Sequence, residues 1–320
     1  MLESELALEL TNKNILITGG TGFFGKNLTE HLVYLNEQYS LKLTIYVMAR
    51  KQVIQNGAIF IEQDVSKKII FDRPIDFIIH AATPVVYDSS TPEELLDIIV
   101  NGTQNVANLA LKLGCKKFIH ISSGAVYGLQ PEEIDRVEEN SLFNIKFYDP
   151  QNAYATGKRI AEILLDSFLK ESNIHYTIVR GFAFSGKYLA LDQQLAIGNF
   201  VRDVVDNKII NIKGDGTAIR SYMDSEDLNT WLITILLKGR NREVYNLGSD
   251  EAISIKELAY KVASQVEGAT VNIENNTNVN VRKNRYVPSI EKAKSELGLK
   301  LRITLDQSIH KMINIYRKSR

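Results

Sequence analysis

The sequence predicts an α/β protein in which a doubly wound parallel sheet is followed by a smaller C-terminal α/β lobe. Three observations indicate this fold class. Short apolar runs alternate with helical patterns over the first 180 residues, the runs are almost continuously apolar, and a glycine cluster joins the first run to the first helix. Strands that are apolar on both faces are typical of a parallel sheet covered by helices on both sides.

The elements follow one another in a regular order. Each predicted strand is a short apolar run, and these lie at residues 14–18, 43–48, 58–61, 76–80, 117–122 and 176–180. Helices of the first part, with apolar residues at helical spacing, are predicted at 26–36, 92–113 and 154–170. After residue 180 turn-forming residues become more frequent, and helices are predicted at 225–238, 254–266, 289–297 and 305–317.

This change of pattern predicts two interleaved domains, which a chain of 320 residues can accommodate. The first domain comprises residues 1–182 together with about 225–250. The second comprises residues 183–224 and 251–320. A ligand-binding cleft is expected where two such domains meet.

Composition excludes several classes of protein. Apolar residues make up 44% and charged residues 24% of the chain, which indicates a folded globular protein. Basic and acidic residues number 38 each, so neither nucleic acid nor an anionic membrane is an expected partner. The five histidines have no metal-ligand spacing, and the single Cys115 fits a reducing compartment. With an acidic N-terminus and no apolar run of about 20 residues, the expected location is cytoplasmic.

The glycine cluster is the first candidate binding site. Residues 15–25 read ILITGGTGFFG, and the glycines fit both G-x-G-x-x-G and G-x-x-G-x-x-G. Glycine lets the backbone turn tightly and approach a pyrophosphate, which the N-terminus of the following helix then binds. Because the cluster lies directly between a strand and a helix, it predicts a Rossmann-type dinucleotide site rather than a chance group of glycines in a turn.

The end of the second predicted strand bears on the choice of cofactor. NAD sites usually place an acidic residue there for the ribose hydroxyls. Here the sequence is Val47-Met48-Ala49-Arg50-Lys51. Arg50, with Lys51, could pair with a 2′-phosphate, so NADP is favoured over NAD, although both could be solvated surface charges. Asp64, after the third strand, could meet the adenine or cap a turn.

A tyrosine and a lysine form the candidate catalytic pair. Tyr154 is the one tyrosine with a lysine four residues later, Lys158, and on a helix both side chains share a face. A free phenol has a pKa of about 10, and a neighbouring ammonium can lower that value. Tyr154 could then exchange a proton with an alcohol oxygen. Ser123, at the carboxyl end of the fifth strand, is placed to hydrogen-bond the same oxygen.

These segments together carry a family resemblance. The chain resembles the extended short-chain dehydrogenase/reductase family, in particular its members acting on nucleotide-activated sugars. The matching segments are ITGGTGFFG at 17–25, IEQDV at 61–65, IIHAAT at 78–83, NGT at 101–103, SSGAVYG at 122–128, YATGK at 154–158 and GDGTAIRSY at 214–222. The resemblance implies that Ser123, Tyr154 and Lys158 are the catalytic triad, with Lys158 also on the nicotinamide ribose. It implies a cofactor site that contains Gly19, Gly22, Phe23, Phe24, Gly25, Arg50, Asp64, Val65, Ala81 and Ala82.

The resemblance also implies a nucleotide-diphosphate sugar as the substrate. Arg220 matches the arginine that contacts phosphate, which suits a planar guanidinium. Arg285 is a second phosphate candidate, and Asn199 is the expected contact near the base. The chain departs from the family pattern at Ala183, where many relatives have an asparagine. The contacts with the substrate must therefore differ at this position.

A second departure separates the candidate reactions. The 4,6-dehydratases of the family have Asp-Glu after the active Ser or Thr, whereas this chain has Gly124 and Ala125, which cannot move a proton. The expected reaction is NADPH-dependent reduction of a 4-keto-6-deoxy sugar nucleotide at C4. The main alternative is 4-epimerisation with tightly held NAD. A 4,6-dehydratase, a non-catalytic nucleotide sensor and a reductase of non-sugar carbonyls are less favoured. The resemblance suggests a homodimer through the helices at 92–113 and 153–170.

Overall fold

Two compact units make up the protein. The computed structural model describes residues 2–51, 56–83, 91–146, 149–192, 195–274 and 284–318. The first unit comprises Met1–Val126, Ile145–Gly181 and Asn229–Tyr245, and the second comprises Tyr127–Asn144, Phe182–Leu228 and Asn246–Arg320. The segment 127–144, which the sequence analysis assigned to the first domain, therefore lies in the second unit.

The helices and strands have the following bounds. The helices are α1 (Leu2–Leu8), α2 (Phe23–Tyr39), α3 (Pro92–Leu113), α4 (Ala153–Leu169), α5 (Ala196–Val205), α6 (Ser225–Lys238), α7 (Ile255–Ala263), α8 (Glu291–Leu297) and α9 (Leu305–Lys318). The first seven strands are β1 (Asn14–Thr18), β2 (Thr44–Ala49), β3 (Ile59–Glu62), β4 (Phe77–His80), β5 (Lys117–Ser123), β6 (His175–Gly181) and β7 (Phe184–Ser185). The others are β8 (Ile210–Ile212), β9 (Ile219–Arg220), β10 (Met223–Asp224), β11 (Glu243–Leu247), β12 (Ile253–Ser254), β13 (Val271–Ile273) and β14 (Arg285–Tyr286).

The central sheet has the predicted character. Over the described ranges it contains seven strands in the order β11-β6-β5-β4-β1-β2-β3. Every neighbouring pair from β6 to β3 is parallel. Strand β4 is buried along its whole length, and β1, β2 and β5 are buried at all but their first residue, as expected of strands covered on both faces. The doubly wound, Rossmann-type α/β fold predicted from the sequence is confirmed.

The order of the strands sets where a ligand can bind. From β1 the chain proceeds outward through β2 and β3, and it then returns to the other side of β1 to form β4. The connections that leave β1 and β4 therefore run in opposite directions at the carboxyl edge of the sheet. Ligands of open α/β sheets bind in the crevice at such a point. The predicted glycine loop follows β1 at this edge.

Helix α3 shows how local sequence signals set the bounds of an element. Thr91 and Glu94 form a reciprocal capping box, Pro92 takes the first helical position, and Gly114, whose φ of +64° is left-handed, caps the helix after its last residue. Both ends match the prediction of 92–113. Helix α4 approaches α3 closely because Gly157 has no side chain, and an added Cβ would lie 3.1 Å from Leu96 Cδ2.

The second unit contains small sheets and four of the helices. The pairs β7–β10, β8–β13 and β9–β14 are parallel, and β12 joins β9 in the antiparallel sense. Helix α5 packs on α7 and α9. These two- and three-residue strands are too short to leave a periodic signal, and the sequence analysis did not predict them. Nowhere in the described ranges does a helix combine the length and hydropathy that crossing a bilayer requires.

Candidate active site

The glycine loop lies against the end of β4. Gly19, directly after β1, has a φ of +75°, and a Cβ there would come within 2.7 Å of the Ala81 carbonyl carbon and the Ala82 Cα. A side chain at this position would therefore be both strained and blocked. The loop is also tied to β2, since the Gly19 N–H donates to the Met48 carbonyl at 2.9 Å. The structure thus brings together three of the residues predicted to hold the cofactor: Gly19, Ala81 and Ala82.

The remaining glycines of the loop have different surroundings. At Gly25, in the first turn of α2, a Cβ would lie 2.5 Å from the Gly20 Cα, and at Gly20 it would overlap the Val47 side chain. At Gly22 the nearest such atom is the Gly19 carbonyl oxygen at 3.4 Å, which is an ordinary contact. Packing among the described residues therefore explains Gly20 and Gly25, whereas beside Gly22 it leaves room for an added group.

The start of α2 has the properties of an anion site. Gly22 is its N-cap, no side chain of the described residues caps the helix there, and its first turn contains no acidic residue. The positive end of the helix dipole at such a start favours an anionic ligand. With the open side of Gly22, this arrangement fits the pyrophosphate of a dinucleotide. The adjacent Phe23 and Phe24 rings are in edge-to-face contact, with centroids 5.8 Å apart.

The residues predicted to meet the adenosine end lie beyond β2 and β3. Arg50 and Lys51 follow β2 and are exposed. Asp64 lies in a turn after β3, where its carboxylate accepts from the Ser66 N–H at 2.9 Å. Of the two interpretations left open for Asp64, the structure contains the turn cap. Val65 is buried and would meet a Cβ at Gly102 of α3 at 3.0 Å, so it packs the turn after β3 against that helix.

The candidate catalytic residues of the first unit belong to β5 and α4. Ser123 ends β5, and its Oγ accepts from the Ala125 N–H at 3.1 Å within a short 3-10 turn, Gly124–Tyr127. Tyr154 is the second residue of α4 and is half-buried. Lys158 lies one turn later on the same face of the helix. In the described structure the two residues after Ser123 offer no group that can transfer a proton.

Lys158 is deeply buried beside the carboxyl edge of the sheet. Its side chain donates from Nζ to Thr83 Oγ1 at 2.6 Å and to the Ile121 carbonyl oxygen at 2.7 Å, two residues before Ser123. Because both acceptors are neutral and the residue is only 2% exposed, burial lowers the pKa of Lys158 to about 7, while the charge of Glu162 acts to raise it. An ammonium and a neutral amine are therefore close to balance near neutral pH.

Two histidines lie in the sheet beside this lysine. His80, at the end of β4, is in contact with Thr18 Oγ1 at 2.7 Å and Thr103 Oγ1 at 3.2 Å. His120 of β5 is its registered neighbour, with ring centroids 5.4 Å apart. Burial lowers the pKa of His80 to about 3 and that of His120 well below its usual value, and Lys158 adds to both effects.

Sequence reasoning missed four residues that touch or surround Lys158. Thr83 binds its ammonium, and a buried group of Ser122, Glu162 and Arg180 lies behind it. Spacing could have indicated Glu162, which is four residues after Lys158 on the same helix face. Nothing in the local sequence links Ser122 of β5 or Arg180 of β6 to α4, because these contacts depend on the order of strands in the sheet.

The predicted substrate residues of the second unit do not converge. In the register of β9 and β14, Arg220 is paired with Tyr286, while Arg285 is paired with Ile219. Side chains alternate along a strand, so the two arginines lie on opposite faces of this sheet. Arg285 donates from Nε to the Asp135 carbonyl at 2.8 Å and forms an ion pair with that residue's carboxylate.

Arg220 shares its face with an aromatic pair. Tyr286 is its registered neighbour, and the Tyr286 ring lies 4.6 Å from the Phe182 ring at an angle of 34°. The Arg220 guanidinium donates from Nη1 to the carbonyls of Ile219 and Asn284. Asn199, on α5, accepts from Arg202 at 3.2 Å.

Comparison with known proteins finds relatives that match nearly the whole chain. The UDP-glucuronic acid decarboxylase 2 of Arabidopsis thaliana is 27% identical over 319 residues, which cover 98% of this chain and 70% of that protein. The dTDP-D-glucose 4,6-dehydratase of Mus musculus is 26% identical over 327 residues, with 96% of this chain and 89% of the mouse protein covered.

Solved structures share the fold. An epimerase from Methanothermobacter thermautotrophicus matches with a TM-score of 0.85 at 20% identity, covering 100% of this chain and 96% of that one. The UDP-glucose 4-epimerase of Thermotoga maritima matches with a TM-score of 0.80 at 20% identity, covering 96% and 99%.

The family assignment rests on a match over most of the chain. The model of the NAD dependent epimerase/dehydratase family matches residues 15–248, which include the glycine loop, β5 and α4. The resemblance to extended short-chain dehydrogenases/reductases is thereby confirmed, and the chain belongs to the NAD dependent epimerase/dehydratase family.

Proposed function

We propose that this protein reduces the 4-keto group of a nucleotide-diphosphate 4-keto-6-deoxyhexose, with NADPH as the reductant and Tyr154 as the proton donor. The observation that carries the proposal is the position of Lys158. Its buried amino group is fixed between Thr83 and the Ile121 carbonyl, one helical turn from Tyr154. A cation held there stabilises the phenolate that Tyr154 becomes when it gives up its proton.

Each residue of the triad has a definite task in this reaction. Tyr154 donates its hydroxyl proton to the substrate O4 as the carbonyl becomes an alcohol. Ser123 holds the same oxygen through a hydrogen bond and so orients the ketone. The Lys158 ammonium compensates the charge left on Tyr154. When bound, the reduced nicotinamide supplies the hydride that C4 receives.

The chain's own residues support a dinucleotide beside this triad. The open side of Gly22 and the uncapped start of α2 suit the pyrophosphate. Arg50, exposed at the end of β2 where NAD sites have a carboxylate, suits a 2′-phosphate. Arg220 suits the diphosphate of the sugar nucleotide, and Tyr286 beside it offers an aromatic surface. Arg285 is already paired with Asp135.

Elimination of water is the less favoured chemistry. A 4,6-dehydratase must remove a proton at C5 and protonate the leaving oxygen at C6, which takes an acid and a base besides the tyrosine. Gly124 and Ala125 follow Ser123 and supply neither. The comparisons with decarboxylases, dehydratases and epimerases support the class of substrate and leave this choice to experiment.

The assay compares reductase with epimerase directly. The purified protein is denatured and its released nucleotides are identified by mass spectrometry. The protein is then incubated with dTDP-4-keto-6-deoxyglucose and either NADPH or NADH, and oxidation is followed at 340 nm. A reductase consumes one equivalent of NADPH for each 4-hydroxy product. Oxidised NAD retained through purification, with no consumption of NADPH, would support a 4-epimerase and refute the reductase.

Tyr154→Phe tests the proposed proton donor. The variant keeps the ring but lacks the hydroxyl, so we expect kcat to fall by about 100-fold or more, the contribution typical of a positioned general acid. Cofactor affinity, measured by fluorescence titration, should change little. Near-normal turnover in this variant would show that another group donates the proton.

Separate observations support proposals for assembly and location. We propose a homodimer through α3 and α4, because Ile160 and Ile163 form an exposed apolar pair on α4. We also propose a cytoplasmic location, because Cys115 is a buried free thiol and suits a reducing compartment.

A further inference from the structure

Lys158 has to be charged for its proposed role, yet its surroundings work against the charge. It is buried, its two hydrogen-bond acceptors are uncharged oxygens, and burial lowers the pKa of its ammonium to about 7. At that value roughly half of the molecules would hold a neutral amine at neutral pH. A neutral amine cannot stabilise a phenolate by charge. A nearby anion favours the ammonium, and the pKa of about 7 already includes the charge of one, Glu162, which acts to raise it.

Glu162 is the residue placed to do so. It lies on α4 one turn after Lys158, on the same buried face of the helix, and the residue is 9% exposed. Three hydrogen bonds fix its carboxylate, one from Ser122 Oγ and two from Arg180, with Nε at 3.0 Å and Nη2 at 2.6 Å. Residues of β5 and β6 thus hold the Glu162 carboxylate in one position.

We propose that Glu162 is a positioning residue that keeps the Lys158 ammonium charged by fixing a buried carboxylate one helical turn behind it. The inference rests on the proposed function of Lys158 as the cation beside Tyr154. Tyr154, Lys158 and Glu162 follow at four-residue steps along α4. A proton donor, a cation and an anion therefore lie in a row on one face of the helix.

The other groups around Lys158 do not replace Glu162. His80 of β4 and His120 of β5 are buried, and their charged forms would repel the ammonium. From α3, Leu96 and Ile99 approach the neighbouring Gly157. The three carboxylates of α3 have partners of their own: Asp97 accepts from Asn101, Glu94 closes the cap at Thr91, and Glu93 is hydrogen-bonded to Thr91. On β6 the charged side chain is that of Arg180, which binds Glu162 itself.

The test measures the protonation of Lys158 without substrate or cofactor. The protein is labelled with 13Cε-lysine, the Lys158 resonance is assigned from its loss in Lys158→Arg, and its chemical shift is followed from pH 5 to 11. In Glu162→Gln we expect the midpoint of the Lys158 titration to move to lower pH by about one pH unit or more, as removal of a nearby opposite charge predicts. An unchanged midpoint would overturn the proposal.

Asp166→Asn is the matched control. Asp166 lies one turn further along α4 and has the same kinds of partner, an arginine in Arg242 at 2.9 Å and a hydroxyl in Tyr176. It differs in being partly exposed, with its side chain 43% accessible. Its removal should leave the Lys158 midpoint where it is. An equal shift in this variant would mean that general negative charge, and not Glu162, sets the protonation of Lys158.

Two further variants guard against a merely structural effect. Glu162→Asp keeps the charge and should restore most of the midpoint. Glu162→Gln combined with Arg180→Gln removes both charges and avoids an unpaired buried guanidinium, so it is measured if the single variant does not fold. The midpoint of the Lys158 titration should fall in this double variant as well.

If Glu162→Gln shifts the midpoint but no 4-keto sugar is reduced by the wild type, the proposed reaction fails while the role of Glu162 in charging Lys158 stands. If the reaction is observed, the alkaline limb of kcat should move with the midpoint.

Discussion

Gly22 is the glycine of the loop that packing among the described residues does not require. Its φ is −81°, which any residue can adopt, and an added Cβ would make only an ordinary contact. We expect Gly22→Ala to change the free energy of unfolding by less than about 1 kcal/mol, the scale of the glycine-to-alanine effect on the unfolded chain. It should weaken NADPH binding at least tenfold, because the Cβ takes space that a pyrophosphate needs. Urea denaturation and isothermal titration calorimetry measure the two effects.

Gly25→Ala provides the contrast for that experiment. Its Cβ would lie 2.5 Å from the Gly20 Cα, and backbone atoms must move to admit it. We expect a loss of roughly 1–3 kcal/mol of stability, typical of overpacking. If Gly22→Ala proved as destabilising as Gly25→Ala, or if it bound NADPH like the wild type, the assignment of the open side of Gly22 to a pyrophosphate would be wrong.

Arg220 and Arg285 offer a second comparison between similar residues. They lie on opposite faces of one small sheet, and Arg285 is engaged by Asp135. We expect Arg220→Ala to raise KM for the sugar nucleotide by about 10-fold or more, since a charge-assisted hydrogen bond to phosphate contributes roughly 1.5–3 kcal/mol. Arg285→Ala should leave KM within about threefold. Steady-state kinetics at saturating NADPH checks both, and the opposite ranking would place the diphosphate on the other face.

Sequence analysis located the site residues that local patterns mark. It missed those whose contacts come from elements distant in the chain. Tyr154 and Lys158 could be predicted from their spacing on a helix. Ser123 could be placed at the end of a strand by the alternation of apolar runs. Thr83 and Arg180 could not be predicted, because they meet α4 only through the order of β4, β5 and β6 in the sheet.

At the scale of elements, the histidines of β4 and β5 give the central sheet a dependence on pH. Burial holds the pKa values of His80 and His120 far below the unfolded value of about 6.5. Below that pH the unfolded chain therefore binds more protons than the folded one, so the free energy of unfolding decreases as pH falls from about 6.5. The loss approaches about 1.4 kcal/mol per pH unit for each histidine.

His120→Leu measures this contribution. His120 makes no hydrogen bond to any other described residue, so an apolar side chain of similar size should be tolerated. Urea denaturation between pH 7 and pH 4.5 should show a shallower loss of stability in the variant. His310→Leu is the control, since His310 is exposed on α9, and its slope should match the wild type. Identical slopes in all three proteins would show that His120 does not govern acid stability.

The helices show where local signals suffice. Helix α3 was predicted at both ends because a capping box, a proline and a terminal glycine all lie within its own sequence. Helix α2 begins at Phe23, three residues before the predicted start, because the glycine loop itself forms its N-cap. Helix α1 was not predicted; Leu6 and Ala7 in it are buried, and the helix packs on α2.

At the scale of the whole molecule, the apolar surface of α4 bears on assembly. Ile160 is 38% and Ile163 is 69% exposed, on the side of α4 away from the buried Lys158 and Glu162. If this surface joins two copies, light scattering coupled to size exclusion should give twice the chain mass of 36.1 kDa. We expect Ile163→Glu to give the single-chain mass. Ile70→Glu, at a residue 78% exposed outside α4, should remain dimeric. A monomeric wild type would contradict the proposal.

The sequence by itself determined the class of the fold, the glycine loop and the Tyr154–Lys158 pair, because strand periodicity, turn residues and helical spacing act between residues close in the chain. The tertiary structure decided the rest. It buried Lys158 between β4 and β5, fixed the Glu162 carboxylate with partners on β5 and β6, and put Arg220 and Arg285 on opposite faces of one sheet. Burial and charge depend on which strands become neighbours, and that order is set by packing of the whole domain.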